Sequence, residues 1–436
     1  MLREIDLTTD RPSDLTSVLP RGTFDVDHAV EVVACVCDAV RDEGIAALER
    51  FSEQFDGVVP EHFRVPRQAM ADALASLDPT VQAALEVAIE RRRRVAETVE
   101  VEQAWRLVEL APGATVGNSI IPVSRVGLYV PGGLAPLASS VIMNVIPAQV
   151  AGVDSLAVAT PPQAESGGLP HPVILAVCEL LGVKEVFAVG GAQAVAMFAH
   201  GIPGLCPRVD LVTGPGNIYV VAAKRYLRGV VGIDSEAGPT EIAILADDTA
   251  DPAFIAADLI SQAEHDPMAG SVLITTSAQL AADVRAQVTE QLPALATADR
   301  LRISLGGEQS AIVLVPDLET GIEVANAYAA EHLEIHTADA LGVARRIRNA
   351  GAIFVGPYSP VPLGDYSAGS THVLPTSGAA RYSSGLTVRS FMKSVHIIQY
   401  DAQGLAEIGD RVMAFADAEN LPGHANAIRV RLKENR

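Results

Sequence analysis

Between Val126 and Leu227 the chain alternates short β-branched runs with helix-like stretches, at intervals of roughly 25–30 residues, the length of a βαβ step. This rhythm constrains the fold more than any other feature. The runs Val126–Val130, Leu156–Ala159, Val186–Val189 and Asp210–Thr213 each reach Gly or Pro before a helical pattern, as the strands of a parallel sheet do. A second series follows from about Glu241 to Val355. Its strands are Ile242–Ala246, Val272–Thr275, Ala311–Val315, Leu333–Ile335 and Ile353–Val355, with helical stretches such as Pro252–Glu264 and Ala278–Gln291 between them. Two α/β sheets facing each other are expected. No aligned repeat relates them.

From Val26 to about Val101 apolar residues recur at helical spacing, first Val26, Ala29, Val30 and Val33, later Met70, Leu74 and Leu77. Arg91-Arg92-Arg93-Arg94 falls in this region. On a helix these side chains point around a whole turn and do not converge on one phosphate, so the run reads as a solvated surface or a subunit contact. Cys35 and Cys37 sit in an apolar run, Val32 to Val40, and read as buried packing residues.

With 436 residues, 49% hydrophobic and only 19% charged, the chain can bury the cores of two or three domains. The 53 acidic against 32 basic residues leave a formal charge of -21, which argues against nucleic acid and anionic membrane as partners. Four cysteines without a CxxC pair or a disulfide framework point to a reducing compartment. No window reaches the roughly 20 apolar residues of a membrane span, and Met1 to Asp6 carries no export signal. The expected location is cytoplasmic.

Several stretches carry chemistry. Three strand ends are rich in glycine: Tyr129-Val130-Pro131-Gly132-Gly133, Val189-Gly190-Gly191-Ala192-Gln193 and Thr213-Gly214-Pro215-Gly216-Asn217. Taken singly each is an ordinary tight turn, and none is a full GxGxxG fingerprint; together at the carboxyl ends of one sheet they suit a nucleotide crevice. Gln262 and His265 are three apart, so on a helix they share a face and could both reach a metal, although two ligands are not a site. Asp365 lies in the Gly- and Pro-rich loop Gly356 to His372, where a turn could also account for it. Glu331-His332 joins a carboxylate to an imidazole where a helix end runs into a short apolar strand, an acid/base pair or two polar residues on a connection. Glu419 and His424 close the series on C-terminal helical sequence.

Taken in order, these motifs resemble the histidinol dehydrogenase family over nearly the whole chain. The likeness runs through Gly127-Leu128-Tyr129-Val130-Pro131-Gly132-Gly133, Gly190-Gly191-Ala192-Gln193-Ala194, Gly214-Pro215-Gly216-Asn217, Ala237-Gly238-Pro239-Thr240-Glu241, Gln262-Ala263-Glu264-His265, Glu331-His332-Leu333-Glu334, Gly364-Asp365-Tyr366, His372-Val373-Leu374-Pro375-Thr376, and Glu419 with His424. The resemblance implies an α/β fold of two Rossmann-like parallel-sheet domains facing each other, plus small N-terminal and C-terminal helical segments used in dimerisation. The implied division is residues 1–25 as an N-terminal arm, 26–125 with 240–378 as a first α/β domain holding catalytic and metal residues, 126–239 as a second holding nucleotide contacts, and 379–436 as a helical segment reaching the partner subunit.

The activity implied is zinc-dependent oxidation of L-histidinol to L-histidine through L-histidinaldehyde, with reduction of two NAD, the last step of histidine biosynthesis. The metal, one Zn2+ per subunit, would be held by Gln262, His265, Asp365 and His424, a mixed N/O set. Substrate contacts would fall on Thr240, Gln262, His265, His332, Asp365, Glu419 and His424. NAD contacts would fall on Tyr129, Gln193 and Asn217. His332 would take the proton in both oxidations and Glu331 would activate water in the second, while Glu419 and His424 would come from the partner of a homodimer. Two departures stand out: Thr240 occupies a position where many members have Ser, and Ala330 one where Pro is common. A zinc hydrolase would use the same metal set without the three glycine-rich strand ends, and a non-catalytic binding protein would not need Glu331, His332 or His265.

Overall fold

The computed structural model describes residues 1–9, 12–22, 25–132, 136–236 and 238–433; of the motif residues named above, Gly133 and Ala237 lie outside them. In chain order the strands are β1 (Arg3–Asp6), β2 (Trp105–Ala111), β3 (Ala114–Pro122), β4 (Arg125–Tyr129), β5 (Ser155–Thr160), β6 (Val186–Ala188), β7 (Leu211–Thr213), β8 (Gly232–Ile233), β9 (Glu241–Ala246), β10 (Gly270–Thr275), β11 (Ala311–Leu314), β12 (His332–His336), β13 (Ala352–Val355) and β14 (Met392–Tyr400). They form three sheets. Two are wholly parallel, with orders β6-β5-β4-β7-β8 and β1-β11-β10-β9-β12-β13, and the third is antiparallel, β14-β3-β2.

Both parallel sheets are covered on two faces, which explains why their strands read as continuous apolar runs. Along β9, Ile242, Ile244 and Ala246 enter one core while Ala243 and Leu245 enter the opposite one. Along β4, Val126 and Leu128 point to one side and Tyr129 to the other. Each fully buried Ile or Leu contributes about 1.5–3 kcal/mol, so this two-sided burial is the main force assembling the layers. In the smaller sheet the chain builds outward from β4, then returns to the far side of that strand at β7; in the larger it does the same from β9, returning at β12. Such reversals open crevices between helices.

The sequence rhythm did not register some of these elements. Residues 3–6 form β1, which extends the larger sheet by pairing with β11. The β2–β3 hairpin pairs with β14, whose nine residues lie within the C-terminal stretch read as mostly helical. Two further expectations are corrected. Cys37 is buried, but Cys35 is exposed. Arg92 does not face solvent: its guanidinium is 0% exposed, pairs with Glu100 at 2.8 Å and sits 3.4 Å from the Gly369 carbonyl. Arg91 donates to the Ser367 carbonyl, so the arginine helix Pro79–Val95 grips the loop that follows Asp365.

Gly214 shows how tightly the β4/β7 reversal is packed. Its φ is +115°, and a Cβ there would lie 2.0 Å from the Tyr129 carbonyl oxygen. Gly214→Ala is therefore expected to cost about 2–4 kcal/mol of unfolding free energy through strain and backbone overlap. Denaturant unfolding of the two proteins checks this, and equal midpoints would contradict it.

Candidate active site

The acid/base pair is built by a change of direction in the backbone. The helix Leu318–Tyr328 ends on Ala329, whose φ of 51° and ψ of 58° are left-handed. A residue with a Cβ accepts this at a cost of about 1–2 kcal/mol. The turn is locked by Gly351 N–H donating to the Ala330 carbonyl and Ala352 N–H to the Glu331 carbonyl, both at 2.9 Å. His332 then opens β12, and alternation sends His332, Glu334 and His336 to one face while Leu333 and Ile335 enter the apolar core on the other.

Glu331 and His332 are 6% and 4% exposed. Glu331 Oε2 accepts the Thr240 hydroxyl at 2.6 Å and the Glu241 backbone N–H at 3.1 Å, and stands 3.7 Å from His332 Nδ1. Burial pushes the Glu331 carboxyl up to about 8, against the opposing effect of those two hydrogen bonds. Burial likewise pushes the His332 imidazole down to about 4, against the attraction of the Asp365 charge. The Glu241 backbone is the one group that hydrogen-bonds to the His332 ring, and no side chain among the described residues does so. The site thus presents a neutral imidazole with a free lone pair beside a carboxyl that titrates near physiological pH, a pair suited to moving protons.

The candidate metal residues converge from two return elements. The helix Pro252–Ala263 starts with Asp251 as N-cap and Pro252 in its first turn, and runs back past β9 to deliver Gln262, with His265 just beyond its end. A short helix, Val361–Tyr366, delivers Asp365, whose Oδ2 lies 3.8 Å from His265 Nε2. Gln262 is fully buried, and its Nε2 is fixed by donation to Thr240 Oγ1 at 2.6 Å. Its Oε1 is left without a partner. An oriented, unpartnered carbonyl beside an imidazole and a carboxylate fits the donor set of a divalent N/O-binding ion. Glu331 and His332 sit at the amino edge of the larger sheet, together with Thr240 just before β9.

The nucleotide candidates gather at the carboxyl edge of the smaller sheet. Tyr129 ends β4 and Asn217 caps the helix Ile218–Leu227 beyond β7, on the two sides of the reversal. The Tyr129 hydroxyl accepts the Gly191 N–H at 3.1 Å, tying the first glycine-rich turn to the second, which carries the buried Gln193. His372 joins the two halves: one ring nitrogen lies 3.0 Å from Ser140 Oγ, at the start of the helix after β4, and the other 3.2 Å from the Asp365 carbonyl. Sequence reasoning gave His372 no role. Nor did it find Phe354, whose ring centroid is 6.0 Å from that of His332. A third feature it missed is the buried trio Asp258, Glu334 and His336, whose ligand atoms lie within 4.8 Å of one another, separate from the Gln262/His265/Asp365 group. The alternation on β12 held the signal for that trio.

Glu419 and His424 stand apart. Both are exposed, at the junction of the helices Ala402–Ala418 and Pro422–Lys433, and the ion pair between His265 and Asp365 does not include them. The surface near them is apolar: Phe415 is 69% exposed, and Ile398 on the neighbouring β14 is 71% exposed.

The comparisons with known proteins converge. A family profile described as histidinol dehydrogenase matches residues 19–432. The chain is 64% identical to the histidinol dehydrogenase of Cutibacterium acnes, over 99% of both chains. It is 58% identical to that of Thermobifida fusca, over 99% of this chain and 98% of the relative. The crystal structure of histidinol dehydrogenase from Elizabethkingia anophelis superposes with a TM-score of 0.93 at 31% identity, covering 99% of this chain and 98% of that one.

The hydrogen bond from Thr240 stabilises the charged form of Glu331. Thr240→Val, which keeps the shape and removes the donor, is expected to move the Glu331 titration further above about 8. Carbon-13 NMR of the labelled carboxyl reports it directly, and a titration at or below the wild-type position would show that the hydroxyl does not act this way.

Proposed function

Because the chain belongs to the histidinol dehydrogenase family, we propose that its two crevices carry out a zinc-assisted, four-electron oxidation of L-histidinol to L-histidine in the cytoplasm, with two NAD reduced in turn. That it is an NAD-dependent oxidoreductase of histidine biosynthesis follows from the family. The observation that supports the mechanism best is the buried imidazole of His332, without a side-chain hydrogen-bond partner among the described residues, beside Glu331 and within the electrostatic reach of His265 and Asp365. Gln262, His265 and Asp365 of one subunit would hold the zinc, with His424 of the other completing the set. Tyr129, Gln193 and Asn217 would line the nucleotide crevice.

When bound, the metal supplies a positive centre that fixes nitrogen donors of the substrate, and NAD supplies the hydride acceptor. The protein's own residues do the rest. His332 accepts the hydroxyl proton as the carbinol carbon loses hydride, giving the aldehyde. In the second half Glu331, in its ionised form, takes a proton from water as the water adds to the aldehyde carbon, and His332 returns the proton it took in the first half to the carbonyl oxygen, which gives the neutral hydrate. His332 then removes a hydroxyl proton of the resulting hydrate as the second hydride leaves, and the carboxylic acid product ionises. Burial matters at each stage, because it keeps His332 neutral and makes ionised Glu331 a stronger base than an exposed carboxylate.

Thr240, Gln262, His265, His332 and Asp365 would contact the substrate from one subunit, and Glu419 and His424 from the other. Glu419 is suited to pair with a cationic or N–H-bearing part of histidinol. The apolar residues exposed on β2, β14 and the C-terminal helices, among them Trp105, Leu107, Leu110, Ile398 and Phe415, support a face covered by a second copy. The four cysteines, all free, suit a reducing compartment.

Purified protein given L-histidinol and excess NAD is expected to release two NADH per substrate, to lose activity with a chelator and to regain it with zinc. One NADH per substrate, or turnover indifferent to chelation, would overturn this reading. His332→Gln should slow both oxidations, whereas Glu331→Gln should slow mainly that of the aldehyde. The aldehyde step should also accelerate with rising pH through about 8, as Glu331 ionises, and this inflection should vanish in Glu331→Gln. Equal losses in both steps from the Glu331 change would contradict the division of roles. Subunit sharing has its own measurement: His265→Ala and His424→Ala chains, each inactive as homodimers, should regain activity when refolded together, and mixtures that stay inactive would refute shared sites.

A further inference from the structure

Behind the catalytic pair lies a polar cluster that the reaction does not use. Glu334 and His336 follow His332 on the same face of β12, and Asp258 sits one turn before Gln262 on the helix Pro252–Ala263. Asp258, Glu334 and His336 are 7%, 0% and 3% exposed. Glu334 Oε1 accepts the Val361 backbone N–H at 3.0 Å. Its carboxyl also hydrogen-bonds directly to that of Asp258, and Oε2 lies 3.3 Å from His336 Nε2. Val361 opens the short helix that ends in Asp365 and Tyr366. One side chain therefore meets all three elements that carry the candidate site: the strand of His332, the helix of Gln262 and the helix of Asp365.

Two carboxyl groups can bond to each other only through a proton, and two buried carboxylates in contact would repel strongly. Glu334 already accepts a backbone N–H, which favours its charged form, so Asp258 is the member that keeps the proton. Burial, followed by the Glu334 charge, raises the Asp258 carboxyl to about 8. The chemistry of the trio also suits a divalent ion, and both ring nitrogens of His336 stand without a hydrogen-bond partner among the described residues; the bond between the carboxyls accounts for Asp258 and Glu334 alone.

We propose that Glu334 is a positioning residue: accepting the Asp258 O–H and the Val361 N–H, it fixes two helices against β12 and so sets the spacing of Gln262, Asp365 and His332. The inference rests on the metal reading given above, and it concerns how the first-named residues are held rather than what they do.

The experiment combines two readouts. In metal-free protein carrying Glu331→Gln, so that Glu331 contributes no acid band, infrared spectroscopy is expected to show the carbonyl stretch of a buried carboxylic acid, lost when Asp258→Asn or Glu334→Gln is added. Zinc affinity, measured by chelator competition on folded protein, should fall about 10–100-fold in Glu334→Ala, the usual consequence of removing a group that orients ligands. It should fall similarly in Asp258→Leu and stay close to wild type in Asp258→Asn, whose amide N–H replaces the lost O–H donor. Circular dichroism and cooperative thermal unfolding establish that each variant is folded. If Glu334→Ala does not fold, the contrast between Asp258→Leu and Asp258→Asn carries the test. Lack of the acid band, unchanged zinc affinity in Glu334→Ala or Asp258→Leu, or an Asn variant as weak as the Leu variant would each overturn the proposal. So would two zinc ions per wild-type chain falling to one in Glu334→Gln, which would make the trio a second metal site. A wild-type chain that binds no zinc at all would overturn the metal reading and this inference with it, whereas normal zinc binding without the acid band would overturn this inference alone.

Discussion

The Thr240 hydroxyl is the smallest group on which the largest part of the candidate site depends. It donates to Glu331 Oε2 and accepts from Gln262 Nε2, each at 2.6 Å. A hydroxyl can donate only once, so the direction of each bond is fixed by the other. Because Gln262 must donate through its nitrogen, its carbonyl oxygen is turned away from Thr240 and is left without a hydrogen-bond partner. A single donor–acceptor chain thereby influences the ionisation of Glu331 and leaves the Gln262 carbonyl oxygen free. Glu241, next to Thr240, is itself anchored by Arg21, whose Nη1 donates to both carboxylate oxygens at 2.9 Å, so the strand end that carries the hydroxyl is held in place.

Much of this fold is legible in the sequence, because a parallel sheet covered on both faces leaves continuous apolar strands with breaks between them. The nine strands read from that rhythm recur within a residue or two at each end. The remaining strands are hidden for definite reasons. β1 is four residues long with charged or polar ends, and β2 is largely exposed, so neither shows an apolar run or a clean alternation. Arg92 misleads because its burial depends on Glu100 and Gly369, partners that only the folded loops bring within reach.

The chemistry-bearing residues were legible as types and spacings, but their edge of the sheet was not. Ligands in open α/β sheets usually lie beyond the carboxyl ends of strands, and the glycine-rich turns of the smaller sheet follow that rule. In the larger sheet the pair Glu331-His332 instead occupies the amino edge of β12, and return helices bring Gln262 and Asp365 to it. The two edges differ in what they offer. Glycine-rich turns at strand ends expose backbone N–H groups, which suit the phosphates of a nucleotide, whereas helix carboxyl ends offer carbonyls and side-chain acceptors, which suit a cation.

His372 connects these two kinds of edge, and its position explains why both must be present at once. One nitrogen faces Ser140, on the helix after β4, and the other the Asp365 carbonyl, so its imidazole is fixed between the smaller parallel sheet's layer and the segment that carries Asp365. Burial holds its pKa below the ordinary histidine range, which keeps it neutral and able to donate from one nitrogen while accepting at the other. A charged ring would have two donors and no acceptor, and the Ser140 hydroxyl could then no longer donate to it. The registry between the two sheets thus depends on the same desolvation that keeps His332 neutral. Water entering the crevice would weaken both the proton chemistry and the alignment of the halves, so exclusion of solvent from this junction serves structure and reactivity together.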